Sequence, residues 1–345
     1  ISGIFLTAAG IPLAGKLLVW MDTPEDVLPL SALYMRIYFG GILSTMVYNF
    51  GGAILRAMGD TRSPLYFLLF SGVINVLLNL LFVLVFKMTV DGVAWATVIS
   101  QTVSACLVLR ALTKRDDSGM LSLRALRIYP KALISILKIG VPAGLQGVVF
   151  SLSNVVIQAG INSFGTAATA GVAAALNFEF YTYFLINAFT QAAVTFIGQN
   201  YAARQLDRCD KIFRLSLAFA IASVLALNAV WLTLGTTALS LFTTDPDAME
   251  FALMRWWYGM AFQFIAATYE VTAGSMRGMG WSMTPTAIII VGSCVLRIIW
   301  VLTVFAASPD FITLVIIYPI TWAVTGTAMF VAYYFVRKRA YAVAA

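Results

Sequence analysis

The chain has 345 residues, of which 61% are hydrophobic and 11% charged, and it contains no histidine. Soluble globular proteins carry about 25% charged residues, so this composition excludes a soluble domain and predicts a polytopic membrane protein. Histidine is the usual general base and metal ligand, and no glycine-rich phosphate-binding loop is present, so we expect neither an enzyme nor an ATP-driven pump.

Ten apolar runs are long enough to cross a bilayer, which takes roughly 20 residues per helix. Runs of this length without alternation exclude a barrel and predict an all-α polytopic fold. The predicted spans are 1–20, 29–55, 65–86, 90–112, 133–163, 167–199, 212–242, 249–276, 284–306 and 311–336. A polar linker at 113–132 separates a partial N-terminal lobe of four helices, 1–112, from a C-terminal lobe of six, 133–345.

The connecting loops alternate in charge. If ten helices alternate across the bilayer, 17 of the 22 lysines and arginines fall on one side, together with the central linker and the C-terminus. By the positive-inside rule that side is cytoplasmic, which predicts a multi-pass protein of the inner or plasma membrane. The opposite loops are acidic, and one dense acidic group precedes a helix, where N-terminal capping explains it better than a metal site. That group is Asp245, Asp247 and Glu250.

Two copies of one short turn lie at 55–64 and 276–285, offset by 221 positions. Each copy contains Arg, Met, Gly and Pro in the same order, which indicates duplication of a large unit. The second copy of the unit holds six helices, so the first would begin about 88 residues before Ile1 and include two further helices. Six helices per unit give both halves the same orientation in the membrane. We therefore expect a twelve-helix protein.

A series of short motifs then follows in order along the chain. They are 55–64 (LRAMGDTRSP), 92–97 (GVAWAT), 139–142 (IGVP), 197–202 (IGQNYA), 241–245 (LFTTD) and 276–280 (MRGMG). Together they resemble the multidrug and toxic compound extrusion (MATE) transporters over the whole chain, as the third to twelfth helices of that family. The resemblance implies two pseudo-symmetric six-helix bundles and antiport of organic, mostly cationic compounds against H+ or Na+ by alternating access. It implies no other cofactor.

The chain departs from the family pattern at two positions. Phe150 stands where one large branch carries a glutamate, and Asn79 stands where other members carry an aspartate. The coupling residue and the coupling ion therefore stay open between H+ and Na+.

Two charged residues lie near the middle of predicted spans, where charge is costly and functional by default. Glu179 is about a dozen residues from the outer end of its helix, and Arg297 lies at comparable depth in another. Two alternatives remain open: Glu179 lines a cavity and binds a cation or proton, or it forms a structural ion pair with Arg297. Lys16, Arg36 and Arg255 are expected to anchor helix ends.

Glu270 lies seven residues before Arg277, roughly 10 Å along a helix. A carboxylate at that depth is predicted to bind an ion or to form a hydrogen-bonded clamp at the cytoplasmic gate. Uncharged polar residues are also concentrated at the start of the C-terminal lobe. The expected cavity or helix-contact residues there are Gln146, Asn154, Gln158, Asn162, Asn177 and Tyr181.

Gln146, Asn154, Gln158 and Asn162 fall on one helical stripe, which suits either a water-filled cavity or hydrogen bonds between helices. Aromatic neighbours such as Tyr181 suit flat organic cations. The expected partners are small organic cations and the bilayer, with no nucleic acid, and the protein is expected to be a monomer. The alternative function is a flippase or exporter of lipid-linked sugars with a related two-lobe fold. A wide groove for an anionic lipid head would require several mid-span arginines.

Overall fold

The computed structural model describes residues 2–20, 27–114, 121–122 and 125–344. The described residues form helices and connecting turns, and no strand occurs among them. Nine of these helices are long and apolar enough to cross a membrane. The chain is thus an all-α polytopic membrane protein. It divides into two compact units, Ile1–Arg127 and Ile128–Ala345.

The first unit contains four long helices, and α2 packs against both α1 and α4. Small residues allow the close approach: a Cβ at Gly10 would lie 2.2 Å from the Phe39 ring, and one at Gly51 would lie 2.2 Å from Val108. Such contacts are typical of helix pairs in lipid. The elements are α1 (Ser2–Trp20), α2 (Leu28–Ala57), α3 (Arg62–Leu80), a π-helical segment (Leu81–Val85) and α4 (Val90–Thr113).

The second unit is built around α6, which packs against α7, α8 and α9. A Cβ at Gly171 would lie 2.2 Å from the Ala248 carbonyl oxygen, so α6 and α8 touch backbone to backbone. The elements are α5 (Pro130–Asn162), α6 (Thr166–Ala202), α7 (Leu206–Leu239), α8 (Pro246–Met260), α9 (Gln263–Gly278), α10 (Met283–Ile289), α11 (Leu296–Trp300), α12 (Phe311–Val315) and α13 (Ile317–Ala344). π-Helical segments at Ile290–Val295 and Val301–Phe305 flank α11.

The predicted span 249–276 is two helices. A turn at Ala261 and Phe262, whose dihedrals stay in the right-handed region, separates α8 from α9, which have 15 and 16 residues. The Asn228 side chain on α7 donates its Nδ2 to the Met260 carbonyl at 2.6 Å and accepts from the Thr182 hydroxyl at 2.9 Å. A break inside a bilayer is tolerated only where neighbouring groups bond the freed backbone, and Asn228 does so. Near the start of α8, Asp245 caps the helix by accepting from the Asp247 amide.

The two repeated turns have the same backbone geometry. Gly59 and Gly280 adopt φ of 90° and 86°, in the left-handed region that favours glycine. The Asp60 amide donates to the Leu55 carbonyl, and the Trp281 amide donates to the Met276 carbonyl, each at 2.9 Å. These paired contacts keep the 221-residue offset, so the repeated sequence folds into a repeated turn.

Candidate functional site

Glu179 is paired with Arg255. The Arg255 Nε and Nη2 atoms donate to the two carboxylate oxygens of Glu179, each at 2.7 Å, and the two residues are 2% and 7% exposed. This bidentate geometry is the strongest form of the arginine–carboxylate interaction. The predicted partner Arg297 was therefore wrong, and so was the placement of Arg255 as an anchor at a helix end. The reason is packing: α8 lies directly on α6, whereas α11 packs against α5 and α13.

Two further residues of this span lie against Glu179, one beside its carboxylate and one at its main-chain carbonyl. Gly259, one helical turn after Arg255, leaves room for it, because a Cβ there would lie 2.6 Å from Oε1. Gln263, at the first turn of α9, donates its Nε2 to the Glu179 carbonyl at 3.0 Å. The break between α8 and α9 thus places one side chain on each half of the broken span against Glu179.

Arg297 is 1% exposed and lies against Tyr318, the same ring that Arg255 contacts. Its guanidinium carbon is 4.5 Å from the Tyr318 ring centroid and 5.4 Å from that of Phe150, while Arg255 lies 3.7 Å from the Tyr318 centroid. Nε donates to the Thr321 hydroxyl at 3.2 Å. Nη1 and Nη2 have no hydrogen-bond partner among the described residues. One tyrosine ring therefore contacts one paired and one unpaired arginine.

Glu270 is partly buried on α9, and no described residue hydrogen-bonds its carboxylate or lies within ion-pair distance of it. Arg277 and Tyr183 are its electrostatic neighbours. Arg277 instead donates its Nη2 to Gln146 Oε1 at 2.6 Å. Gln146, predicted to face a cavity or a neighbouring helix, thus joins α5 to the end of α9.

The remaining candidates divide into bonded and exposed side chains. Gln158 donates to Asn162 Oδ1 at 2.8 Å, and the Thr169 hydroxyl on α6 donates to the same oxygen at 3.2 Å, so this end of the stripe joins α5 to α6. Asn154 is exposed, as are Asn177, which donates to the Ala173 carbonyl, and Tyr181. These candidates therefore combine a contact between α5 and α6 with exposed side chains that a ligand can reach.

In the first unit, Asn79 belongs to a polar network between α3 and α4. It donates to Asn75 Oδ1 at 3.1 Å, and Asn75 donates to the Ser100 hydroxyl at 3.3 Å. The Asn79 Oδ1 atom is buried without a partner among the described residues. An uncharged side chain thus occupies the position where the family resemblance leads us to expect an aspartate.

A cavity of about 690 Å³ lies between the start of α5 and the turn before α10. Its lining is mostly apolar, and none of the predicted site residues contributes to it. The lining residues are Ile134, Leu137, Lys138, Val141, Pro142, Gly280, Trp281, Ser282, Met283 and Thr284. Within the described part of the chain, no three His, Cys, Asp or Glu residues are grouped to hold a metal ion.

Comparison with known proteins identifies the family. The model of the MatE family matches residues 1–81 and 142–303, more than half of the chain. The chain belongs to the MatE family. The probable multidrug resistance proteins YpnP and YoeA of Bacillus subtilis strain 168 are similar to it, at 31% identity over 84% of this chain and 28% over 83%. The chain spans 65% and 63% of those two proteins, which is less than two thirds of each.

A solved structure supports the same fold. The crystal structure of MATE in complex with MaL6 superposes with a TM-score of 0.89 at 19% identity, over 99% of this chain and 77% of that one. The MatE fold therefore extends through both units of the chain.

Sequence reasoning missed the Glu179–Arg255 pair, although one signal for it was present. Arg255 is ten residues after Asp245, or about 15 Å into its helix, too deep for a residue at the membrane surface. The break at Ala261 and Phe262 had no signal of this kind, since neither residue is a proline or a glycine.

Proposed function

We propose that the protein is a secondary active multidrug exporter, which moves organic, cationic compounds in exchange for H+ or Na+ by alternating access. Membership of the MatE family and similarity to the probable multidrug resistance proteins YpnP and YoeA support this proposal. The multi-pass helical fold supports it as well.

We propose Glu270 as the carboxylate that binds the coupling ion. The observation that carries this assignment is the contrast between Glu179 and Glu270, the two carboxylates far inside the predicted spans of the second unit. The charge of Glu179 is neutralised by Arg255, whereas no described cation lies within ion-pair distance of Glu270. A partly buried carboxylate without a counter-ion binds a proton or a small cation readily, because either removes the cost of an isolated charge.

The proposed substrate contacts are the exposed polar and aromatic side chains of α5 and α6. Asn154, Asn177 and Tyr181 are free to meet a ligand, and Phe180 and Phe184 add aromatic surface near Tyr181. Aromatic faces attract organic cations. In this assignment Gln146 and Gln158 position neighbouring helices.

We further propose that the protein is a monomer in the inner or plasma membrane, with the C-terminus and the linker at 113–132 in the cytoplasm. The clustering of basic residues on one side supports this orientation. The two proposed lobes are 1–112 and 133–345, separated by that linker.

Transport in proteoliposomes tests the proposal. The full-length protein is reconstituted, including the two helices expected before Ile1, and efflux of ethidium is followed under an imposed pH or sodium gradient. We expect the wild type to move ethidium under at least one gradient, Glu270→Gln to abolish gradient-driven movement, and the control Glu250→Gln, an exposed residue near the start of α8, to behave as wild type.

Two results would count against the proposal in different ways. If the wild type moves no ethidium under either gradient, the antiporter assignment is wrong. If the wild type transports and Glu270→Gln transports equally well, antiport stands but Glu270 is not the coupling residue.

A further inference from the structure

Arg297 carries a positive charge that no described residue balances. Its strongest electrostatic neighbours are Tyr318, Tyr269, Arg255 and Cys294, and no described carboxylate lies within ion-pair distance of it. None of these is a carboxylate, and the charge of Glu179 is already taken up by Arg255. A guanidinium group cannot lose its proton in a protein, so Arg297 cannot become neutral as a buried lysine would. An isolated buried charge is costly, so this arginine requires an anionic partner.

The free atoms of Arg297 define the shape of that partner. Nε donates a hydrogen bond to the Thr321 hydroxyl, while Tyr318 and Phe150 lie within cation–π distance of the guanidinium carbon. The two atoms left without partners are Nη1 and Nη2. These two nitrogens form the end of the guanidinium fork, whose parallel N–H groups match the two oxygens of a carboxylate.

The helix that carries Arg297 is irregular on both sides. α11 is only five residues long, and π-helical segments precede and follow it at Ile290–Val295 and Val301–Phe305. π-Helical turns occur mostly as local insertions in α-helices and are frequent at functional sites. Because Arg297 is 1% exposed here, a ligand reaches it only when this segment shifts. The flanking segments supply the place for such a shift.

We propose that Arg297 is a binding site for the carboxylate group of an organic compound with an aromatic or apolar body. Nη1 and Nη2 each donate to one carboxylate oxygen, and Phe150 and Tyr318 contact the body of the ligand. The site is distinct from Glu270, which would bind a cation. Binding of a ligand to the Arg297 site can be measured directly, without an imposed ion gradient.

Thermal unfolding of the purified chain in a low-salt buffer tests the site. The probes are benzoate, its neutral isostere benzamide, and acetate. We expect benzoate to raise the unfolding temperature in a saturable way, with an apparent affinity about tenfold or more above that of benzamide, because only the anion forms the charged bidentate contact. The response should disappear in Arg297→Gln and persist in Lys138→Gln, which removes an exposed cation elsewhere.

Each result decides a separate point. Equal shifts with benzoate and benzamide, or an undiminished benzoate shift in Arg297→Gln, would overturn the site. A response to acetate as strong as that to benzoate would refute the contact with an aromatic or apolar body, and would leave a small free anion as the occupant. If Arg297→Gln does not fold, Arg297→Lys keeps the charge and removes the fork. It should bind benzoate at least about fivefold more weakly, and unchanged affinity in that variant would refute the bidentate contact.

Discussion

The two arginines that contact Tyr318 are alike in burial and opposite in pairing. Arg255 meets a carboxylate through two bonds, whereas Arg297 meets only a hydroxyl and aromatic rings. Both are almost fully buried. Burial alone therefore does not reveal which charge serves the fold and which awaits a partner, because that depends on the atoms left unbonded. The paired arginine has a structural role, and the unpaired one has the features of a binding site.

The largest expected effect is loss of the ion pair. Glu179→Gln leaves Arg255 buried and uncompensated, and should lower the free energy of unfolding by about 3–5 kcal/mol. The double variant Glu179→Gln/Arg255→Gln should recover part of that loss, since it removes both charges. Unfolding in detergent measures both effects, with Glu250→Gln as the control. Loss of less than about 1 kcal/mol in the single variant would show that the pair contributes little.

Gly259→Ala perturbs the same pair without removing a charge. The new Cβ would lie 2.6 Å from Glu179 Oε1, and the carboxylate is held by two hydrogen bonds and has no freedom to move aside. We expect a loss of about 1–3 kcal/mol, the usual cost of overpacking. Gly72→Ala, with open space around its Cβ, is the matched control. Equal stability of the two variants would mean that the pair adjusts freely.

The effect of Arg297→Met on the free energy of unfolding should have the opposite sign. The substitution removes an unpaired buried charge and keeps much of the side-chain volume, so in a chloride buffer without any carboxylate the free energy of unfolding should rise by about 1–3 kcal/mol. Arg255→Met leaves Glu179 buried without a counter-charge, so its free energy of unfolding should fall in the same assay. If both variants are destabilised alike, Arg297 is as well compensated as Arg255, and the contrast between them is lost.

The smallest effect is expected at a partly exposed pair. Asp210 on α7 accepts from the Arg337 guanidinium and from the Tyr341 hydroxyl, the latter at 2.7 Å. Arg337→Gln should lower the free energy of unfolding by about 1 kcal/mol or less, and added salt should reduce the difference. Arg339→Gln, an exposed neighbour, serves as the control. A loss as large as that of Glu179→Gln would contradict the distinction between buried and exposed pairs.

The sequence was sufficient for features that depend on local chemistry. Gly59 and Gly280 marked the repeated turns because a tight reversal requires glycine at a positive φ, and length and hydropathy located the apolar spans. The sequence was insufficient where distant residues decide the outcome. Glu179 pairs with Arg255 through the contact of α6 with α8, and the Met260 carbonyl is freed from its helix where Asn228, 32 residues away, can bond it. Neither contact has a periodic pattern in the sequence.

The break between α8 and α9 has a mechanical consequence. A continuous helix carries bending from one end to the other through its ladder of backbone bonds, and here the ladder shortens, because the Ile265 amide donates to the Phe262 carbonyl three residues back, at 2.9 Å. Each half is tied to α6 by its own side chain, Arg255 on α8 and Gln263 on α9. A change of tilt between the two halves would therefore act on both of these bonds. Asn228, bonded to the Met260 carbonyl, lies at the joint between them.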